Sequence, residues 1–170
     1  MKTLSIEREK YHEFIEKLKG YLKPGALIYD IGKSSRFDYS PVFSGFKYET
    51  MDRNESLNPD HSVDLEEMHA TCLMPCPDAV LCNGVSEQCG DFYKVMENIT
   101  LMLKEGGYAL FGIMSVGYPI YDTDFTRFTP RGVDALLKDY KILEEEIIYN
   151  GSFPSYVFAI CKKRAGGGET

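Results

Sequence analysis

Residues 78–114, DAVLCNGVSEQCGDFYKVMENITLMLKEGGYALFGIM, decide the fold. Asp78 to Asn83 is a short apolar run closed by an amide, the length of a buried strand rather than a helix. From Asp91 to Lys104, Phe92, Val95, Met96, Ile99, Met102 and Leu103 recur at helical spacing. Asp91 stands at the N-cap and Gly106-Gly107 at the stop. Tyr108 to Met114 is a second apolar run. Two strands joined by a helix of this length are parallel neighbours, because parallel pairing needs such a crossover.

The same alternation continues toward both ends. Upstream, Ala26-Leu-Ile-Tyr-Asp30-Ile-Gly32 and Phe46-Lys-Tyr-Glu-Thr-Met-Asp52 read as strands that each finish near an acid. Residues 33–45 are too rich in turn formers for a long helix. Residues 53–77 read as loop with one brief strand near Val63-Asp64-Leu65 and a helical turn. Tyr11, Phe14, Ile15, Leu18, Tyr21 and Leu22 mark an amphipathic helix over 3–23, ended by Pro24-Gly25. Downstream, a loop from Ser115 to Phe128 leads to Thr129-Pro130, which opens a helix in the N-cap and N1 arrangement. Strands over 141–149 and 155–162, split by Asn150-Gly151-Ser152-Phe153-Pro154, form an antiparallel hairpin. The expected organisation is one domain over 1–164 with a flexible tail at 165–170. Its class is α/β: a Rossmann-like, doubly wound sheet, mostly parallel, closed by the C-terminal hairpin.

Composition narrows the function classes. The 170 residues are 44% hydrophobic and 13% aromatic, enough for a real core and no case for disorder. A net charge of −7 repels phosphate backbones and anionic lipid heads, so neither nucleic acid nor membrane is an expected partner. No apolar run approaches a membrane-spanning length, and the charged start resembles no signal peptide, which points to the cytoplasm. Cys72, Cys76, Cys82, Cys89 and Cys161 lack paired metal-ligand spacing and read as reduced, mostly buried thiols. His12, His61 and His69 are isolated, so no metal is expected. Glu144-Glu145-Glu146 reads as an exposed strand edge.

In an open parallel sheet the ligand sits beyond the carboxyl ends of the strands. Those ends hold Asp30-Ile31-Gly32, Asp52 and Asn83-Gly84, three polar points from separate strands, with Asp52 placed 22 residues after Asp30. This pattern, with the Val63-Asp64 pair, the DAVLCNGVSEQ run and LMLKEGGYALFGI, resembles the class I S-adenosylmethionine-dependent methyltransferases over residues 24–163. Tyr118 to Pro130 is also similar to a segment that follows the fifth strand in one group of these enzymes.

The resemblance implies seven strands, S-adenosylmethionine as cofactor, and a role for each matched position. Gly32 lets backbone approach the methionine portion, and Asp30 receives its ammonium. Asp52 accepts the ribose hydroxyls. Asp64 bonds the adenine amino group and Leu65 packs on the ring, while Asn83 and Gly84 line the sulfonium end. The chain departs from the family at Lys33-Ser34-Ser35-Arg36, where a glycine-rich loop is usual; only Gly32 is kept. Two alternatives follow: Ser34 and Ser35 donate where glycine backbone otherwise does, or Lys33 and Arg36 fill the site or repel a sulfonium. Gln88 stands where many relatives carry histidine, and an amide takes no proton. A hydroxyl acceptor therefore needs a carboxylate base, with Glu87, Asp122 and Asp124 as candidates and Glu87 and Asp124 foremost. Tyr118, Tyr121 and Phe125 are candidates for the acceptor pocket.

The expected function is methyl transfer to a small polar molecule, such as a sugar or other metabolite. The alternative is a catalytically silent methyltransferase-like domain serving as a binding or scaffold protein, motivated by the lost glycines and the missing histidine. A dinucleotide-dependent oxidoreductase is a weaker third reading, because GxGxxG is absent. The short cap over the site leaves its completion open to a homodimer or a protein partner.

Overall fold

The computed structural model describes residues 5–34, 37–67, 76–115, 122 and 124–165. Its helices are α1 (Ile6–Lys19), α2 (Phe92–Met102) and α3 (Pro130–Leu136). Its strands are β1 (Leu27–Ile31), β2 (Lys47–Asp52), β3 (His61–Ser62), β4 (Ala79–Asn83), β5 (Tyr108–Met114), β6 (Tyr140–Asn150) and β7 (Phe153–Lys163). They form one seven-stranded sheet in the order β3-β2-β1-β4-β5-β7-β6. β1 to β5 run parallel to one another, and β7 runs antiparallel to both β5 and β6. The strand order reverses at β1, which lies between β2 and β4 and opens a crevice at their carboxyl ends.

Helices cover both faces. On one, Tyr11, Phe14, Ile15 and Leu18 of α1 pack with Ile28, Leu81, Leu110, Phe158 and Ile160. On the other, Val95, Met96, Ile99 and Met102 of α2 and Val133 and Leu136 of α3 pack with Tyr29, Val80, Phe111 and Val157. Because β1 and β4 are covered on both sides, they are apolar apart from Asp30 and the terminal Asn83 rather than alternating.

The local signals act as their chemistry requires. Asp91 caps α2 by accepting the Lys94 N–H at 3.1 Å, and Thr129 caps α3 by accepting the Gly132 N–H at 3.1 Å. The helix read over 3–23 runs Ile6–Lys19, because Gly20 tightens the last turn with its N–H on the Lys17 carbonyl. Glu144 and Glu146 do more than decorate an edge. Lys17 pairs with Glu144 at 2.8 Å and Lys10 with Glu146 at 3.2 Å, tying α1 to β6. Cys82, Cys89 and Cys161 are buried thiols, Cys76 is exposed, and Cys72 lies outside the described residues. No helix among the described residues is long and apolar enough to cross a membrane.

Candidate functional site

A cleft of about 680 Å³ lies at the carboxyl ends of β1, β2 and β4. Its size falls within the roughly 300–1,000 Å³ typical of small-molecule sites. At the exit of β1, Gly32 adopts φ +86°, and a Cβ there would lie 2.6 Å from Val85 Cγ2. The chain turns sharply and packs tightly against the loop after β4 at one point, which only glycine allows. Asp30 is 7% exposed and accepts a hydrogen bond from the Tyr48 hydroxyl. Burial pushes its carboxyl up to about 7, and the Tyr48 bond opposes that rise. Ser34 also lines the cleft. Lys33 spans to the Asn58 carbonyl at 2.6 Å, and Ser35 and Arg36 lie outside the described residues.

At the exit of β2, Asp52 lines the cleft and its Oδ1 accepts the Asn54 N–H at 2.7 Å, which fixes the turn away from the sheet. Asp64 and Leu65 form the adjoining wall. Leu65 is buried and its carbonyl accepts Asn98 Nδ2 at 2.7 Å from α2. Arg53, which sequence reasoning passed over, bridges this wall to the turn after β4. Its guanidinium reaches Glu66 Oε2 at 3.2 Å, the Gln88 carbonyl at 3.0 Å and Asp64 Oδ2 at 4.0 Å. An acid followed by arginine at a strand end was the available signal; its partners 13 and 35 residues on were not visible locally.

At the exit of β4, Asn83 Oδ1 accepts the Tyr156 hydroxyl at 3.0 Å. A Cβ at Gly112 would collide with the Asn83 side chain, so the glycine of β5 makes room for it. Glu87 is 6% exposed and lines the cleft beside Gly84. Burial raises its carboxyl pKa, with its own backbone N–H, the Ser86 hydroxyl and Arg127 opposing. Segment 124–127 braces this turn. The Phe125 N–H donates to the Glu87 carbonyl at 2.6 Å, and the Thr126 hydroxyl donates to the Ser86 carbonyl at 2.7 Å.

The two candidate bases therefore stand apart. Glu87 is on the cleft wall, whereas the Asp124 side chain is 1% exposed, pairs with Arg127 at 2.8 Å and is not among the lining residues. Asp122 is exposed, Phe125 is 63% exposed away from the lining, and Tyr118 and Tyr121 lie outside the described residues. Tyr11 and Tyr39 line the cleft instead, together with Tyr156. Tyr11 read as part of an apolar helix face, and nothing in its spacing marked it for a site. Among the described residues, the cleft is lined by five carboxylates, Asp30, Asp52, Asp64, Glu66 and Glu87, against three cations, Arg8, Lys33 and Arg53. This balance favours a ligand bearing positive charge.

No family model matches the sequence, and no curated protein matches it. Solved structures do match in fold. The N-methyltransferase NodS from Bradyrhizobium japonicum WM9, in complex with S-adenosyl-L-homocysteine, superposes with TM-score 0.70 at 12% identity, over 94% of this chain and 88% of that one. An S-adenosylmethionine-dependent methyltransferase from Clostridium acetobutylicum gives 0.70 at 13% identity, over 92% of each chain. The 1,6-didemethyltoxoflavin-N1-methyltransferase from Burkholderia thailandensis, with 1,6-didemethyltoxoflavin and S-adenosylhomocysteine bound, gives 0.66 at 13% identity, over 96% and 93%. The sheet order, the antiparallel β7 and these likenesses together give the chain the fold of the class I S-adenosylmethionine-dependent methyltransferases.

Proposed function

We propose that the chain is an S-adenosylmethionine-dependent methyltransferase acting on a small polar acceptor. One observation carries this reading: Asp30, Gly32, Ser34, Asp52, Asp64, Leu65, Asn83 and Gly84, drawn from three strand ends and the loops after them, line a single cleft. The donor set suits the cofactor, with acids at the strand ends, an apolar wall at Leu65 and an acid-rich lining. When bound, S-adenosylmethionine supplies a methyl group on a positively charged sulfur. Asp52 accepts the ribose hydroxyls, Asp64 the adenine amino group, and Leu65 covers the ring. Asp30 faces the ammonium with Tyr48 holding one of its oxygens. Glu87 takes the proton of the acceptor, and its raised pKa makes it a stronger base than an exposed glutamate. Asp124, paired with Arg127, holds the turn that carries Glu87.

Calorimetric titration tests the reading. S-adenosylmethionine and S-adenosylhomocysteine should bind, and NAD should not. Asp52→Asn keeps an acceptor for the Asn54 N–H but removes the charge, so it should weaken S-adenosylhomocysteine about tenfold or more, the scale of one charge-assisted hydrogen bond. Unchanged affinity in that variant would remove Asp52 from the ribose. No heat from folded wild-type protein would end the methyltransferase reading.

A further inference from the structure

The three cations that line the cleft among the described residues are not equivalent. Lys33 is occupied by the Asn58 carbonyl at 2.6 Å, and Arg53 by Glu66 and the Gln88 carbonyl at 3.2 and 3.0 Å. Arg8, on the first turn of α1, has neither an ion pair nor a side-chain hydrogen bond among the described residues. Asp30, an acid of the same cleft, is already held by Tyr48. The Arg8 guanidinium instead lies 3.3 Å from the centre of the Phe37 ring. Stacking on an aromatic face fixes the plane of a guanidinium and leaves its N–H edges for partners in that plane. Arg8 is half-buried on the cleft wall with Tyr11, one turn further along α1, and Tyr39. An oriented, uncompensated arginine in a site otherwise rich in acids fits an anionic group brought in by the ligand.

We propose that Arg8 is the anion-recognition point of the cleft, binding a carboxylate or phosphate on a molecule seated there. The group comes either from the amino-acid end of the nucleoside or from an acid function on the methyl acceptor. The proposal rests on the reading of the cleft as a nucleoside site, and its test separates the two.

Wild type, Arg8→Gln and Arg8→Lys are titrated as full chains with S-adenosylhomocysteine and with 5′-methylthioadenosine, which keeps the nucleoside and thioether but lacks the amino acid. The S-adenosylhomocysteine complexes are then titrated with inorganic phosphate and with glucuronate. A loss of about 10- to 100-fold for S-adenosylhomocysteine in Arg8→Gln, with 5′-methylthioadenosine unchanged and partial recovery in Arg8→Lys, assigns the anion to the amino-acid end. Equal S-adenosylhomocysteine binding, with phosphate or glucuronate bound by wild type and lost in Arg8→Gln, assigns it to the acceptor and makes the acceptor an acidic molecule. Arg8→Gln matching wild type toward all four probes overturns the proposal. So does an equal loss for both nucleosides, which would mark Arg8 as structural. Should wild type bind neither nucleoside, the methyltransferase reading fails. Phosphate and glucuronate on the protein alone then decide: binding lost in Arg8→Gln upholds Arg8, and no difference refutes it.

Discussion

Replacing Gly32 with alanine tests the geometry of the cleft at its tightest point. Two separable costs follow. Alanine at φ +86° takes a left-handed conformation costing about 1–2 kcal/mol. Its Cβ would also lie 2.6 Å from Val85 Cγ2, and Val85 is a stiff β-branched side chain already packed on the core. Forcing such a contact costs about 1–3 kcal/mol. Gly32→Ala should therefore lose about 2–5 kcal/mol in urea unfolding, with an unchanged denaturant slope. Adding Val85→Ala removes the collision but not the backbone strain. The double variant should thus recover about 1–3 kcal/mol relative to the sum of the single losses. A loss below about 1 kcal/mol in Gly32→Ala, or strict additivity in the cycle, would refute the close approach of the loops after β1 and β4.

Two further perturbations address buried charge. Asp30 carries a folded-state pKa of about 7, against 3.8 for the unfolded chain, so the folded state binds more protons between those values and stability falls as pH rises through that window. Asp30→Asn still accepts from Tyr48, and its unfolding free energy should lack this fall, leaving it the more stable form at pH 8 by up to about 4 kcal/mol; parallel pH profiles for the two proteins would contradict the buried placement. Arg127→Met removes the cation paired with the Asp124 carboxylate, whose side chain is 1% exposed, and should cost about 2–4 kcal/mol, with the loss largely shared by Asp124→Asn and so non-additive in the double variant. A cost under about 0.5 kcal/mol would class the pair with ordinary surface ion pairs.

The parallel sheet is legible because β1, β4 and β5 are buried on both faces and so read as strand-length runs that are apolar apart from Asp30 and the terminal Asn83. Asp52 is legible for a related reason: it ends a strand, where backbone pairing stops and the side chain faces the crevice. The pairing of Asp124 with Arg127 is equally local, three residues apart along the chain. Contacts between distant segments are a different matter. Tyr156 reaches Asn83 across 73 residues and Tyr21 reaches Glu144 across 123. No periodicity encodes either. Tyr48 and Asp30 are closer in sequence, yet their bond depends on β1 and β2 being neighbours. Arg8 is likewise hidden, since spacing shows a charged gap in an amphipathic helix and not the Phe37 ring beneath it.

The position of β7 bears on when the sheet first becomes complete. Along the chain β6 precedes β7, but in the sheet β7 lies between β5 and β6. A ribosome-bound chain that has released β1 to β6 therefore has a five-stranded parallel half whose β5 lacks its outer neighbour, and β6 has nothing to pair with. Lys10 and Lys17 of α1, made before β6, wait for Glu146 and Glu144. Tyr156 of β7 then sets Asn83 at the cleft. Emergence of β7 thus joins the two parts of the sheet, brings Phe158 and Ile160 under α1 and sets Asn83 together, so a nascent chain halted before β7 holds the cleft-lining ends of β1, β2 and β4 without the strand that fixes Asn83.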